Sequence, residues 1–161
     1  MDSTRIIADP DDKRYEYYPL ENDYEHLLPD EHELVLNTDS GYLVLIDWDQ
    51  RRLRAEYQIT DLEFLVIKQL LDDWPIVTPY EKLLPLIFSE RLTEQIRQCL
   101  QEAQQTGSTR MYALALDPLR TILKGCQKLL EAFHIKISAV YQRGYRLIEA
   151  KEQDERQEGD L

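Results

Sequence analysis

Three short apolar runs open the readable part of the chain: Glu33-Leu-Val-Leu-Asn37, Tyr42-Leu-Val-Leu-Ile46 and Leu53-Arg-Ala-Glu-Tyr57. Thr38-Asp-Ser-Gly41 and Asp47-Trp-Asp-Gln50 place turn-forming residues between them, which predicts a small antiparallel sheet. The period then becomes helical. Thr60-Asp-Leu-Glu63 has the form of a capping box, in which the Thr60 oxygen takes the Glu63 amide and Glu63 reaches back. Phe64, Ile67, Leu70 and Leu71 follow at helical spacing, and Trp74-Pro75 ends that helix. Thr78-Pro-Tyr-Glu81 reads as a second start, with Thr78 as cap and proline at the first helical position. Pro85 is expected to kink or end this helix early.

Leu92 to Gln105 predicts an amphipathic helix with Ile96 and Leu100 on its apolar side, closed by Thr106-Gly107. Because a short extra helix must bury its stripe somewhere, Leu92, Ile96 and Leu100 are expected in part at a dimer or partner interface. Asp117-Pro118 reads as the cap of the next helix, whose stripe is Leu119, Ile122, Leu123, Cys126, Leu129 and Leu130. Gly125 interrupts it at a cost of about 1 kcal/mol against alanine, and close packing is the expected reason. Beyond Phe133, Ile135–Val140 and Tyr145–Ile148 predict a hairpin turning at Gln142-Arg143-Gly144. Phe64, Leu71, Leu84, Leu123 and Leu130 are the expected core anchors.

Residues 1–32 are acidic and rich in tyrosine (Tyr15, Tyr17, Tyr18, Tyr24) and keep neither period, so they read as a tail, partly docked through its aromatics. Removal of residues 1–30 is expected to leave the fold intact. The organisation predicted is residues 1–32 as an N-terminal segment, 33–148 as one α+β domain with an insertion at 89–116, and 149–161 as a charged tail. A length of 161 residues with 43% hydrophobic content suits one such domain. Cys99 and Cys126 are too few and too distant in sequence for a disulfide framework or a zinc site. No apolar leader and no run of about 20 apolar residues is present, so a cytoplasmic protein without a membrane partner is expected.

Charge changes the picture. The chain carries a net −12, which argues against a polyanion partner until its distribution is read. Residues 1–50 hold 14 acidic and 3 basic side chains, and residues 149–161 hold 6 and 2. The stretch 51–148 has 14 basic against 11 acidic. Within 118–148, Arg120, Lys124, Lys128, Lys136, Arg143 and Arg146 face a single acid, Glu131.

With the elements in this order, Ile59-Thr-Asp-Leu-Glu-Phe64 resembles the opening of the first helix in the OmpR/PhoB winged helix-turn-helix family of response-regulator effector domains. Ile76-Val-Thr-Pro-Tyr-Glu-Lys-Leu-Leu84 resembles that family's second-helix entry, and Arg143-Gly-Tyr-Arg-Leu147 the end of its wing. Asp47-Trp-Asp-Gln-Arg-Arg-Leu53 sits where its small sheet turns. The resemblance covers about residues 41–148. It implies a small N-terminal antiparallel sheet, three main helices plus an inserted helix, and a C-terminal β-hairpin wing. Gln142 stands where the family usually has a further glycine, the 89–116 connection is longer than usual, and no phosphoacceptor receiver domain is expected before the effector domain.

The resemblance implies that the last helix enters the DNA major groove, with Arg120, Thr121, Lys124, Gln127 and Lys128 on its exposed face. Arg120, Lys124 and Lys128 recur every four residues as a ridge opposite the apolar stripe. Arginine and lysine donate to guanine or phosphate, Gln127 suits adenine, and Arg143 and Arg146 belong to the wing, where phosphate contacts are expected. A solvated polar face accounts for the same spacing.

The expected function is a DNA-binding transcriptional regulator whose partners are double-stranded DNA, a second copy or another protein such as RNA polymerase through 89–116. The alternative is a winged-helix adapter that binds protein instead. For the acidic N-terminal segment, a solvated tail, a protein-docking element and a charge mimic lying over the basic ridge all stay open. An enzyme is not expected. His26, His32 and His134 lie in unrelated segments and read as surface residues, no metal-ligand or phosphate-loop spacing occurs, and no cofactor is implied.

Overall fold

The computed structural model describes residues 14–21 and 26–150, and these form an α+β fold of two antiparallel sheets and four helices. The first sheet has the order β1-β2-β3-β4, from strands Tyr15–Tyr18, His32–Asn37, Tyr42–Asp47 and Arg52–Gln58. The three strands read from the hydrophobic pattern are β2 to β4. The turn after β2 closes as the Asn37 side chain accepts the amides of Asp39 and Ser40.

Strand β1 corrects the reading of residues 1–32 as a tail: the described part docks through its aromatics, as read, and also adds a strand and core side chains. It pairs with β2 from Tyr15 opposite Asn37 to Tyr18 opposite Leu34, and Leu20, Leu27 and Leu28 are buried. Tyr18 anchors it on the first helix: its hydroxyl lies 2.7 Å from Asp72 Oδ1 and 2.8 Å from Glu16 Oε1. Lys68 bridges the same two carboxylates at 3.0 and 2.8 Å. Removing residues 1–30 therefore takes away a strand and three core leucines, each stabilising by about 1.5–3 kcal/mol when buried. Tyr24 and residues 1–13 lie outside the described residues, and with them most of the acidic-segment readings.

Helix α1, Asp61–Asp73, begins on the capping box read from the sequence: Glu63 donates its amide to Thr60 Oγ1, and the Thr60 amide donates to Glu63 Oε1. Its C-terminus is a junction. Asp73 accepts from Gln69, from the Thr78 hydroxyl at 2.9 Å and from Lys82 at 3.1 Å. Burial opposes ionisation of that carboxyl, but these donors outweigh it and hold its pKa below the usual value.

Thr78 is consequently not the cap of the second helix. Thr78–Pro79 is a short strand, β5, and α2 spans Tyr80–Ile87 with Pro79 before it and no side-chain cap bond. Pro85 lies within α2, which is only 8 residues long. Helix α3, Glu90–Thr106, is capped by Ser89 and ended by Gly107 in the left-handed conformation. Ser108 caps α4, which runs from Thr109 to Leu130. Asp117-Pro118 therefore lies inside a helix of 22 residues rather than at its start. The two-residue connection folds α3 back on α4 as a helical hairpin. The 89–116 insertion is thus a whole helix plus the first two turns of the next.

In this hairpin Ile96, Leu100 and Ala103 of α3 are buried, as are Tyr112, Ala115, Leu116 and Leu119 of α4. The α3 stripe is covered by its own domain, and only Leu92 is left exposed. The C-terminal half of α4 buries Leu123, Cys126 and Leu130 completely, against α1 and β6. A 3-10 turn, Glu131–Phe133, leads to the second sheet of β6 (Ile135–Val140) and β7 (Gly144–Glu149), in the order β5-β7-β6. One core cluster runs through both sheets and all four helices. Of the expected anchors Leu71, Leu84, Leu123 and Leu130 are buried, while Phe64 is half-buried at its edge. This arrangement is compatible with a winged helix.

Candidate nucleic-acid interface

The interface is assembled from the solvent side of α4 and the turn of the β6–β7 hairpin. Along α4, Arg110, Asp117, Thr121, Lys124 and Lys128 follow one another at three-, four- and seven-residue steps and are exposed. Arg120 and Gln127 are half-buried beside them. Among the described residues, Lys68, Lys82 and Arg97 are among the cations held in ion pairs, and no ion pair involves Arg120, Lys124, Lys128 or Arg143. Four cationic groups are thus left without a carboxylate among the described residues.

The seven residues singled out by sequence are not equivalent. Lys124, Lys128 and Arg143 are exposed. Thr121 is exposed too, but its hydroxyl donates to the Asp117 carbonyl at 3.0 Å within α4. Gln127 is already engaged: its Oε1 accepts the Ile137 amide at 2.6 Å and its Nε2 donates to the Ile135 carbonyl at 3.4 Å. It covers the outer edge of β6 instead of offering its amide to a base. Arg146 is half-buried in β7, and Lys136, counted with the basic third of the chain, is buried in β6.

Arg110 belongs to the same exposed stripe and was not singled out by sequence, because the helix was started at Asp117. Ser108 directly after Thr106-Gly107 is the signal that would have found it: a stop followed at once by an N-cap. Asp117 is the one carboxylate on the stripe. Gly125 lies on the exposed side as well, and a Cβ built there meets nothing within 4 Å. The expectation that it serves close packing within the fold is therefore corrected.

Aromatic side chains join the hairpin to the helices. Tyr80, Tyr112 and Tyr145 are buried, with Tyr80 edge-on to both of the others at centroid distances of 6.4 and 5.8 Å. Tyr141, at the start of the turn, lies 4.8 Å from the Tyr112 ring. The Tyr80 and Tyr112 hydroxyls bond each other, and Tyr112 also accepts the Gln142 amide at 2.7 Å. Burial, reinforced by the bond to Tyr112, raises the Tyr80 phenol above its usual range. Burial also pushes Tyr145 up to about 12, with Tyr112 adding to the shift and Arg120 opposing it. Arg120 therefore stands close enough to β7 to act on Tyr145.

The turn takes unusual backbone geometry. Gln142 is left-handed at φ 62°. Gly144 has φ +153°, and a Cβ there would lie 2.0 Å from the Thr78 carbonyl oxygen. Only glycine lets β7 approach β5 this closely.

Other chemistry is sparse. Among the described residues, no group of three His, Cys, Asp or Glu side chains stands together as a metal site. Cys126 is buried and pushed up to about 12 by desolvation, with Glu63 adding to it, which makes it a poor nucleophile. His32, read as a surface residue, is instead buried. Its Nδ1 donates to the Asp30 carbonyl at 2.9 Å while its Nε2 accepts from Arg54 at 3.0 Å, a structural role in β2. No described helix is long and apolar enough to cross a membrane. Comparison with protein-family models, with curated proteins and with solved structures finds no match to the chain, so the residues and geometry above are the whole basis for a functional reading.

Proposed function

We propose that the chain is a DNA-binding transcriptional regulator of the winged helix-turn-helix type. In this reading α2 and α4 are the helix-turn-helix pair, α4 enters the major groove, and β6–β7 is the wing. The element order supports it, with a four-stranded sheet, α1, the short strand β5, the helices, and then a hairpin whose second strand pairs with β5. The observation that carries it is the set of cations on α4 and in the wing turn that, among the described residues, pair with no carboxylate: Arg120, Lys124, Lys128 and Arg143. Unpaired surface cations on a helix that ends in a basic hairpin suit phosphate neutralisation, which supplies most of the affinity of such proteins. Lys124 and Lys128 serve as the groove-facing contacts, Arg110 extends the stripe, and Arg143 takes a phosphate. Gln127, committed to β6, has no base-reading role in this proposal.

A second reading, a protein-binding adapter, is favoured by Asp117 within the stripe and by Leu114, 61% exposed on the same helix. Titration of labelled duplexes at two salt concentrations separates the two. Under the DNA reading Arg143→Ala lowers affinity on every sequence and reduces the salt slope by about one unit. Lys124→Ala also relaxes discrimination at one base pair, by about 1–3 kcal/mol. Absence of binding across a pool of random duplexes contradicts the DNA reading and leaves the adapter reading as the one to test.

A further inference from the structure

Arg143 can serve a nucleic-acid backbone only if the turn that carries it is held in one place. The turn has little to hold it from within. Tyr141, Gln142 and Arg143 are all exposed, the Arg143 amide reaches back to the Val140 carbonyl at 2.9 Å, and Gln142 occupies the left-handed region, which non-glycine residues adopt at a cost. In a freely moving turn that cost would favour other conformers.

Tyr112, outside the hairpin, bonds it directly, and Tyr80 also reaches the Gln142 amide. Tyr112, buried in the first turns of α4, accepts the Gln142 amide at 2.7 Å and packs its ring against Tyr141 at 4.8 Å. Its hydroxyl is itself held by Tyr80 of α2, whose ring stands edge-on to it. Tyr80 in turn meets Tyr145 of β7. The chain of contacts therefore runs from the second helix, through α4, to the residue preceding Arg143. We propose that Tyr112 is the positioning residue of the wing: its hydroxyl holds the Gln142 backbone in the left-handed conformation and so aims Arg143 at the DNA phosphates. The proposal rests on the DNA-binding reading for its purpose, and on geometry alone for the latch itself.

The latch is read by amide exchange at Gln142. In the unaltered chain this amide is expected to exchange as slowly as those paired within β6 and β7, although it has no strand partner; fast exchange there overturns the proposal. Tyr112→Phe keeps the ring and deletes the hydroxyl, so Gln142 exchange should quicken by about tenfold or more while the α1 and α4 amides keep their rates. Duplex affinity should fall about fivefold, the change that losing one net hydrogen bond gives. Because Tyr112 acts through Arg143, adding Tyr112→Phe to Arg143→Ala should produce no further loss beyond that of Arg143→Ala alone.

Losses that simply add in the double variant would mean that Tyr112 acts by stability or by its own contact, and would overturn the proposal, as would unchanged affinity of Tyr112→Phe. Tyr80→Phe is the control. It removes the hydroxyl that bonds Tyr112 and also reaches the Gln142 amide, so Gln142 exchange should quicken less than in Tyr112→Phe, whereas an equal or larger effect would assign the hold to Tyr80 and overturn the latch. Failure of the unaltered chain to bind any duplex is a separate outcome: it contradicts the proposed function and removes the role given to Arg143, whatever the exchange at Gln142 shows.

Discussion

Gly144→Ala is the substitution for which the structure fixes the cost most directly. The added Cβ would sit 2.0 Å from the Thr78 carbonyl oxygen and 2.8 Å from Pro79 Cα, both backbone atoms of β5. Comfortable contact needs about 3.5 Å, so β5 must recede by about 1 Å or more, or detach from β7. Overpacking of this kind costs about 1–3 kcal/mol, and an L-residue held at this positive φ costs about 1–3 kcal/mol more. The sum is centred on about 4 kcal/mol, which for a chain of this length lowers the melting temperature by about 12 °C.

The damage should be local as well. β5 joins α1 through Thr78 and Asp73, and the Trp74 indole donates to the Leu147 carbonyl at 3.2 Å, so amides in β7 and at the end of α1 should lose protection together. Thermal and urea unfolding followed by circular dichroism measures the shift, and hydrogen exchange locates it. A loss of less than about 3 °C, equivalent to about 1 kcal/mol, would refute the close approach of β5 and β7.

Asp73→Asn should destabilise the domain by about 2 kcal/mol near neutral pH, since a charged acceptor with three donors is replaced by a neutral one. The folded pKa of Asp73 lies below its unfolded value of 3.8, so its contribution is present above that pH and is lost as pH falls through the folded value. The gap between variant and unaltered melting temperatures should therefore narrow below pH 3.8, and a gap independent of pH would contradict the ionised junction. Gly125→Ala should raise stability by about 1 kcal/mol, because the site is open and alanine is the better helix former. A lower melting temperature would show that something in the fold needs the glycine.

Local chemistry made much of this fold readable. The Thr60–Glu63 box, the turn residues between β2 and β3 and the hairpin turn at Gln142-Arg143-Gly144 act over a few residues, and each formed as the pattern implied. The misreadings have a common cause in tertiary contacts. Thr78-Pro-Tyr-Glu81 carries a helix-start pattern, but Asp73 takes the Thr78 hydroxyl and β7 pairs with the backbone, so the residues became a strand. Asp117-Pro118 looks like a start as well. Pro118 should cost an interior helix about 3 kcal/mol. It lies on the exposed side of α4, and burial of Tyr112, Leu116 and Leu119 on the other side keeps the helix continuous past it. Strand β1 was missed because its four residues are Tyr-Glu-Tyr-Tyr, whose value lies in ring packing and in the Tyr18 hydroxyl rather than in an apolar alternation.

For the candidate interface, sequence spacing found the ridge but could not see which side chains were already occupied. Lys124, Lys128 and Arg143 emerged exposed, whereas Gln127 closes the β6 edge and Arg120 leans toward Tyr145. Arg110 and Tyr112 were invisible as site residues because both precede the point where the helix was thought to begin.

The central claim, that the exposed side of α4 and the wing turn meet DNA, is tested most directly by adding a short duplex to isotope-labelled protein at low salt and following its amide signals. The account predicts shifts concentrated at Thr121, Lys124, Lys128 and residues 141–143, little change in β1 to β4, and reversal of the shifts as salt is raised. Shifts confined to the four-stranded sheet, or none at any duplex concentration, would contradict it.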